Sequence, residues 1–352
     1  VRIAADQLKK AAVALVRCLG AGEEEAQGVA DNLVMADMRG IPTHGVTFLP
    51  MLAERVAQGQ VAVPTALKVL SDDGAVTHLD GGNGLGQTAA TAGMRASIEK
   101  ASRFGVGLTL IRRTNHIGLL AYYSLMAVPR GMIGFCMCNG AASMAPWGGG
   151  QAFFGSNPFS VAAPGGEEAP VVLDMSTTVV ARGKIRRAIR IKERIPLGWA
   201  LDASGAPTGD PEAAMQGTLL PIGGPKGYGM AFFVDLISGL LSGSSYAREL
   251  KTFHKPEGPT GVGVTTLAID ISRFMAPERF AALVSEHIRS IRASARAADT
   301  SRIYLPGEIE AERERLSAQR GVEVDDTVCQ ALDALLEQKG LPLRLKPGEV
   351  PA

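Results

Sequence analysis

Two histidines stand where an imidazole could move a proton. His44 lies in "RGIPTHGV", just before the apolar, helix-like run "TFLPMLAERVAQG". Thr43 is a candidate N-cap for that helix, which would set His44 in its first turn, at the positive end of the helix dipole. There the imidazolium is disfavoured and the ring stays neutral near pH 7. A neutral imidazole accepts a proton or polarises a carbonyl; it can equally be a hydrogen-bonded structural residue. His116, in "TNHIG", repeats the setting between the β-rich "VGLTLIRR" and the helical "LLAYYSLMA". His78, His254 and His287 read as strand, loop and helix-surface residues. Two histidines in matched settings favour acid–base chemistry, yet spacing alone does not bring them together.

Two glycine-rich stretches bear on the ligand. "DGGNGLGQTAA" follows a strand-like run and precedes a helix, the context of a dinucleotide fingerprint. Gly82, Gly84 and Gly86 give G-x-G-x-G, however, and Gln87 stands where G-x-G-x-x-G needs its third glycine. A tight surface turn is the better reading. "LPIGGPKGYGM" is not a P-loop, because glycine rather than Ser/Thr follows Lys226. Its glycines, a helix start with unpaired N–H groups and the Lys226 charge still make an anion site, most simply for a cofactor phosphate. The alternative is a glycine turn with a solvated lysine. "ARGKIRRAIRIKER" sets Arg182, Arg186, Arg190 and Arg194 on one helix face, a solvated stripe or a site for phosphates.

The elements that position these residues follow from periodicity. Residues 5–18 and 23–38 read as helices, 131–181 as mainly β, and the chain from about 276 as charged and helical. A strand-rich middle between helical ends implies an inserted domain with the two termini packed together. At 352 residues, 46% hydrophobic and 20% charged, the composition is that of a soluble globular protein with two domains or one elaborate one. A net charge of +1 argues for neither nucleic acid nor membrane as partner. Cys18, Cys136, Cys138 and Cys329 form no disulfide framework and complete no metal set. Cys136 and Cys138, in an apolar strand-like run, read as buried thiols. The N-terminal stretch is an amphipathic helix rather than a signal peptide, and "MAFFVDLISGLLSG" is too short to span a bilayer, so a cytoplasmic location is expected.

Taken in order, "DMRGIPTHG", "TNHIG", "APWGGGQAFFGSNPFSVAAP", "LDMSTTVVARGKI", "IPLGWALDASGAPTGDP", "LLPIGGPKGYGM" and "YLPGE" resemble the malate/L-lactate dehydrogenase-like family. That group includes sulfolactate, ureidoglycolate and diketogulonate enzymes and piperideine-carboxylate reductases. The resemblance runs from the first helices to about residue 330. It implies an α/β fold with a non-Rossmann nicotinamide-binding domain on a mainly antiparallel sheet. That domain (121–284) would be inserted in a discontinuous, helix-rich α/β domain made of 1–120 and 285–352, and the protein would be a homodimer. His44 and His116 match the family's active-site histidines. Asp174, Met175 and Ser176 match its cofactor segment, Lys226 and Gly227 its phosphate-side lysine motif, and Pro306, Gly307 and Glu308 its "PGE" segment. Gly140 and Lys184 complete the expected cofactor set, and Thr43 and Phe48 are placed with the substrate.

One departure matters. Many members hold the substrate carboxylate with an arginine where this chain has Phe48, and some have tyrosine where it has Leu52. Phenylalanine cannot replace a guanidinium clamp. The substrate is therefore expected to be larger or more apolar at that end, with any carboxylate held elsewhere. The resemblance implies an NAD- or NADP-dependent oxidoreductase that moves a hydride between nicotinamide and a small-molecule 2-hydroxy or 2-oxo acid. His116 would be the acid/base and His44 the orienting group, or the reverse. NADPH-dependent reduction of a cyclic imine carboxylate is the alternative. A cofactor-binding protein without catalysis is a second, and retention of both histidines counts against it.

Overall fold

The first helices form where the periodicity puts them. In the computed structural model, which describes residues 1–255 and 257–346, α1 spans Ala5–Cys18 and α2 spans Glu23–Met38. Leu8, Leu15 and Leu33 on their apolar faces join Leu49 and Leu52 of α3 (Leu49–Ala57) in one core. Leu332 and Leu336 of the far C-terminal α11 (Asp326–Gln338) complete it. The N-terminal residues are not helical throughout: β1 (Arg2–Ile3) pairs antiparallel with β11 (Val322–Glu323), and the Val1 ammonium lies 2.9 Å from Asp326 Oδ1. The two ends of the described chain are thus packed together.

The middle of the chain builds a seven-stranded sheet in the order β2-β3-β4-β10-β5-β6-β7. Its strands are β2 (Lys68–Asp73), β3 (Val76–Asp80), β4 (Val106–Thr114), β5 (Met132–Cys138), β6 (Phe159–Ala163), β7 (Val171–Met175) and β10 (Val262–Asp270). Every neighbouring pair is antiparallel except β3 and β4, which run parallel because α4 (Gly86–Phe104) crosses between them. Ala89, Ala90, Met94 and Ile98 of α4 bury one sheet face against Ile111, Val264 and Ala268. Burial alternates along β5, and Cys136 and Cys138 point inward as free thiols. The sheet is mixed and mainly antiparallel, and it takes strands from both sides of residue 120.

Shorter elements fringe the sheet. α5 (Leu120–Leu125) follows the His116 segment, and α6 (Arg182–Ile191) packs against α7 (Pro211–Gln216) beside the two-stranded β8 (Ala200–Leu201) and β9 (Thr218–Leu219). α8 (Pro225–Asp235) runs on into a wider π turn, Leu236–Leu241. α9 (Pro277–Ala293) and α10 (Glu308–Arg320) return the chain towards its start. Among the described residues no helix is long and apolar enough to cross a membrane.

Candidate active site

His44 ends a short 3₁₀ turn, Pro42–His44, and a second turn, Val46–Phe48, leads into α3 at Leu49. Thr43 is therefore no N-cap, contrary to the expectation; its hydroxyl lies 3.0 Å from His44 Nδ1. The helix cannot extend back because Gly45 is extended and packs flat against the Asp37 carboxylate. That buried carboxylate also accepts the Val46 N–H at 2.8 Å. Burial pushes the Asp37 carboxyl up to about 7, which this hydrogen bond only partly offsets.

The dipole expectation fails at His116 as well. The N-terminus of α5 is filled by Asp174, whose Oδ2 accepts the Ala121 N–H at 2.7 Å. Burial raises that carboxyl to about 6. Desolvation is what keeps both imidazoles neutral. It pushes His116 down to about 3, helped by His44 and His254, and it lowers His44 too.

The ring centroids of His44 and His116 are 5.5 Å apart and the planes 25° from parallel. Phe48 lies 4.4 Å from His116, and Phe253 closes the cluster at 4.4 Å from Phe48 and 5.9 Å from His116. Phe48 is only 6% exposed, so it shields the imidazole and leaves little surface for a substrate. Behind His116, the Gly118 N–H donates to Nδ1 at 3.1 Å. The neutral ring must then carry its proton on Nε2.

The glycine turn has a structural task. Asn115 Nδ2 donates to the carbonyls of Asn83 and Gly84 at 2.8 and 2.9 Å. A Cβ on Gly86 would press into the carbonyl oxygens of Asn115 and His116. The turn cradles the backbone that carries His116. Gly86→Ala is therefore expected to displace His116 and cut turnover while leaving nicotinamide affinity intact. Fluorescence titration beside steady-state kinetics checks this, and normal turnover would refute it.

The expected cofactor residues gather mostly along one rim of the sheet. Thr177 N–H bonds Ser156 O at 2.8 Å, and Ile222 N–H bonds Thr177 O at 2.9 Å. Gly227 packs on the backbone of both Ile222 and Thr177, and Gly140 N–H donates to Asn157 Oδ1 at 3.1 Å. The half-buried Met175 ends β7 beside them, and the half-buried Ser176 follows it. A Cβ on Gly140 or Gly229 would meet nothing within 4 Å, so the backbone there can be approached. Lys184 and Lys226 are exposed and have no acidic partner among the described residues. One expectation is corrected: the N–H groups of Lys226, Gly227 and Tyr228 donate to Gly223, Ile222 and Gly224 carbonyls. Gly223 and Gly224, both at positive φ, fold the turn tightly enough to close its own donors. Attraction for an anion therefore rests on Lys226. The Pro306–Glu308 turn lies at the outer edge of β7, where Pro306 O accepts the Val172 N–H at 3.1 Å. Glu308 is held there by Arg292 at 2.9 Å, by Arg302 and by the Leu305 N–H at 2.8 Å. A glycine-backed rim that carries the exposed Lys226 fits the phosphates of a dinucleotide.

A model of the malate/L-lactate dehydrogenase family matches residues 3–333. The chain belongs to this family. A malate dehydrogenase from Pyrococcus abyssi is 38% identical over 88% of this chain and 86% of its own. Ureidoglycolate dehydrogenase (NAD(+)) from Escherichia coli K12 is 35% identical over 90% of this chain and 91% of its own. The sulfolactate dehydrogenase structure from Methanocaldococcus jannaschii superposes with a TM-score of 0.91 at 34% identity, covering 97% and 98% of the two chains. Names within the family carry NAD(+) or NADP(+).

For a malate/L-lactate dehydrogenase family chain, the segment 251–255 is the part near the histidines that the motifs leave out. It brings Phe253 and His254 to the histidine pair and is held by the buried Arg55. That guanidinium lies 4.5 Å from the Phe253 ring centroid. It donates to the carbonyls of Phe253, Lys255 and Gly258 at 3.3, 2.9 and 2.7 Å. No local pattern marks this loop; its histidine and its Arg55 anchor are the only signals, and they join only through the fold. His78 and His287 stay apart, in β3 and α9.

Proposed function

We propose that the chain oxidises a 2-hydroxy acid or reduces the matching 2-oxo acid, with His44 and His116 meeting the reacting oxygen. The observation that carries this reading is the pair of desolvated imidazoles 5.5 Å apart. NAD or NADP, held by the glycine rim with Lys226 and Lys184, supplies or accepts the hydride. Because Gly118 occupies Nδ1 of His116, that ring offers Nε2–H, which donates to the oxygen and stabilises charge developing on it. The Thr43 hydroxyl can accept from or donate to His44 Nδ1, so His44 can work in either protonation state. It takes the hydroxyl proton in one direction and returns it in the other. Of the two assignments left open by the sequence, this hydrogen bonding favours His44 as the acid/base. Shielding by Phe48 and Phe253 keeps water from the pair.

A panel of 2-hydroxy acids with NAD(+) and NADP(+), and of 2-oxo acids and cyclic imines with the reduced forms, tests the reading by nicotinamide absorbance. Absence of turnover on every hydroxy and oxo acid overturns it. Lys226→Met is expected to weaken nicotinamide dinucleotide binding about tenfold or more, the scale of a lost charge-assisted contact. Fluorescence titration reads that loss, and unchanged affinity would remove Lys226 from the site. A homodimer of this chain would have a candidate surface in the exposed Phe232, Phe233, Leu240 and Leu241 along α8 and its π turn. Phe233→Glu is expected to shift the mass measured by light scattering from dimer to monomer; a monomeric wild type would refute this.

A further inference from the structure

Near the two histidines, Arg182 and Arg186 of α6 have no acidic partner among the described residues. α6 starts against the histidine turn: a Cβ on Gly183 would stand 2.8 Å from Thr43 Cγ2. One turn on, Arg186 Nη1 lies 3.3 Å from His254 Nε2. His254 follows Phe253, whose ring is 5.9 Å from His116. Arg182 extends the cluster: its Nη2 reaches Gly217 O at 3.3 Å, and its buried Nε has no partner. Arg190, the next member of the stripe, instead pairs with Asp325 at 3.5 Å. Arg186, Arg182 and Arg55 all bear on His254, which burial and these three charges hold below the usual histidine range. Arg55 is taken up by the loop carbonyls, whereas Arg182 and Arg186 have no carboxylate partner among the described residues and so favour an anion from outside. Meanwhile position 48, the place of an arginine in many relatives by resemblance, is closed by Phe48 and Phe253.

We propose that Arg186, backed by Arg182, binds the substrate carboxylate, so that the anionic end of the substrate lies along α6 instead of α3. A guanidinium offers paired donors that match a carboxylate. The proposal rests on the 2-hydroxy/2-oxo acid reading above. A dinucleotide phosphate is the other anion of matching chemistry. Lys226 and the glycine rim suit that anion, whereas Arg186 borders the loop that reaches His116.

Arg186→Gln, Arg186→Lys and Arg182→Gln are compared with wild type in steady-state kinetics on the acid panel and in fluorescence titration with NADH and NADPH alone. Arg186→Gln is expected to raise KM for the acid about 10- to 100-fold with a smaller change in kcat. Lysine should recover part of the loss, Arg182→Gln should fall between, and nicotinamide affinity should hold throughout. An unchanged KM in Arg186→Gln overturns the proposal. So does a matching loss of nicotinamide affinity, which would make the cluster a phosphate site. A wild type inactive on every acid overturns the functional reading itself, whereas an active wild type with indifferent variants overturns only the role of α6.

Discussion

His44→Ala is expected to lower turnover about 10²–10⁴-fold, the range for loss of a positioned general acid/base. His116→Ala is expected to cost about 10²–10³-fold, as when a hydrogen-bond donor to developing charge is removed. Neither touches the glycine rim, so nicotinamide affinity should be retained in both. Because the two act on one oxygen, the double variant should lose less than the product of the single losses. The pH profile separates their roles. His116, at about 3, is neutral across the working range. His44 is lowered from 6.5 by burial, so kcat/KM in the oxidising direction should fall as pH drops through that lowered value, where the base becomes protonated. His116→Ala should keep this limb at reduced rate, and His44→Ala should abolish it. Loss of the limb in His116→Ala alone would return the acid/base role to His116. Near-normal turnover in either single variant would remove that residue from the chemistry.

Asp37 is expected to make stability depend strongly on pH. Its carboxyl titrates at about 7 in the folded chain against 3.8 for the free side chain. Between those values the folded state keeps a proton that the unfolded state has released. Stability is therefore full below 3.8, falls as pH rises, and levels off above about 7. A shift of that size amounts to roughly 4 kcal/mol at about 1.36 kcal/mol per unit. Asparagine keeps an oxygen to accept the Val46 N–H and never ionises. Urea unfolding of Asp37→Asn and wild type should thus diverge by roughly 4 kcal/mol in favour of asparagine between about pH 4 and pH 8. A difference that does not change with pH would mean that Asp37 is charged in the folded protein at little cost.

Much of the scaffold was legible locally. The period of 3.6 residues sets α1 and α2 at the bounds read from the sequence, because one apolar stripe must face the core. The motifs, kept in order along the chain, carried the family, and their side-chain types carried the two histidines and Lys226. What these residues touch was decided by the tertiary structure alone. His44 meets His116 only because the helical N-terminal part and the segment that follows the interior strand β4 converge. Neutral imidazoles were the correct expectation for the wrong reason: no helix start holds them, and desolvation, a property of packing, does. Phe48 looks in sequence like an open apolar wall, yet Phe253 from a distant loop covers it. The turn before α8 looks rich in free donors until its own carbonyls satisfy them. Side-chain chemistry and local periodicity are written in short stretches of chain. Burial and hydrogen-bond partners come from segments far apart in sequence, and only folding supplies them.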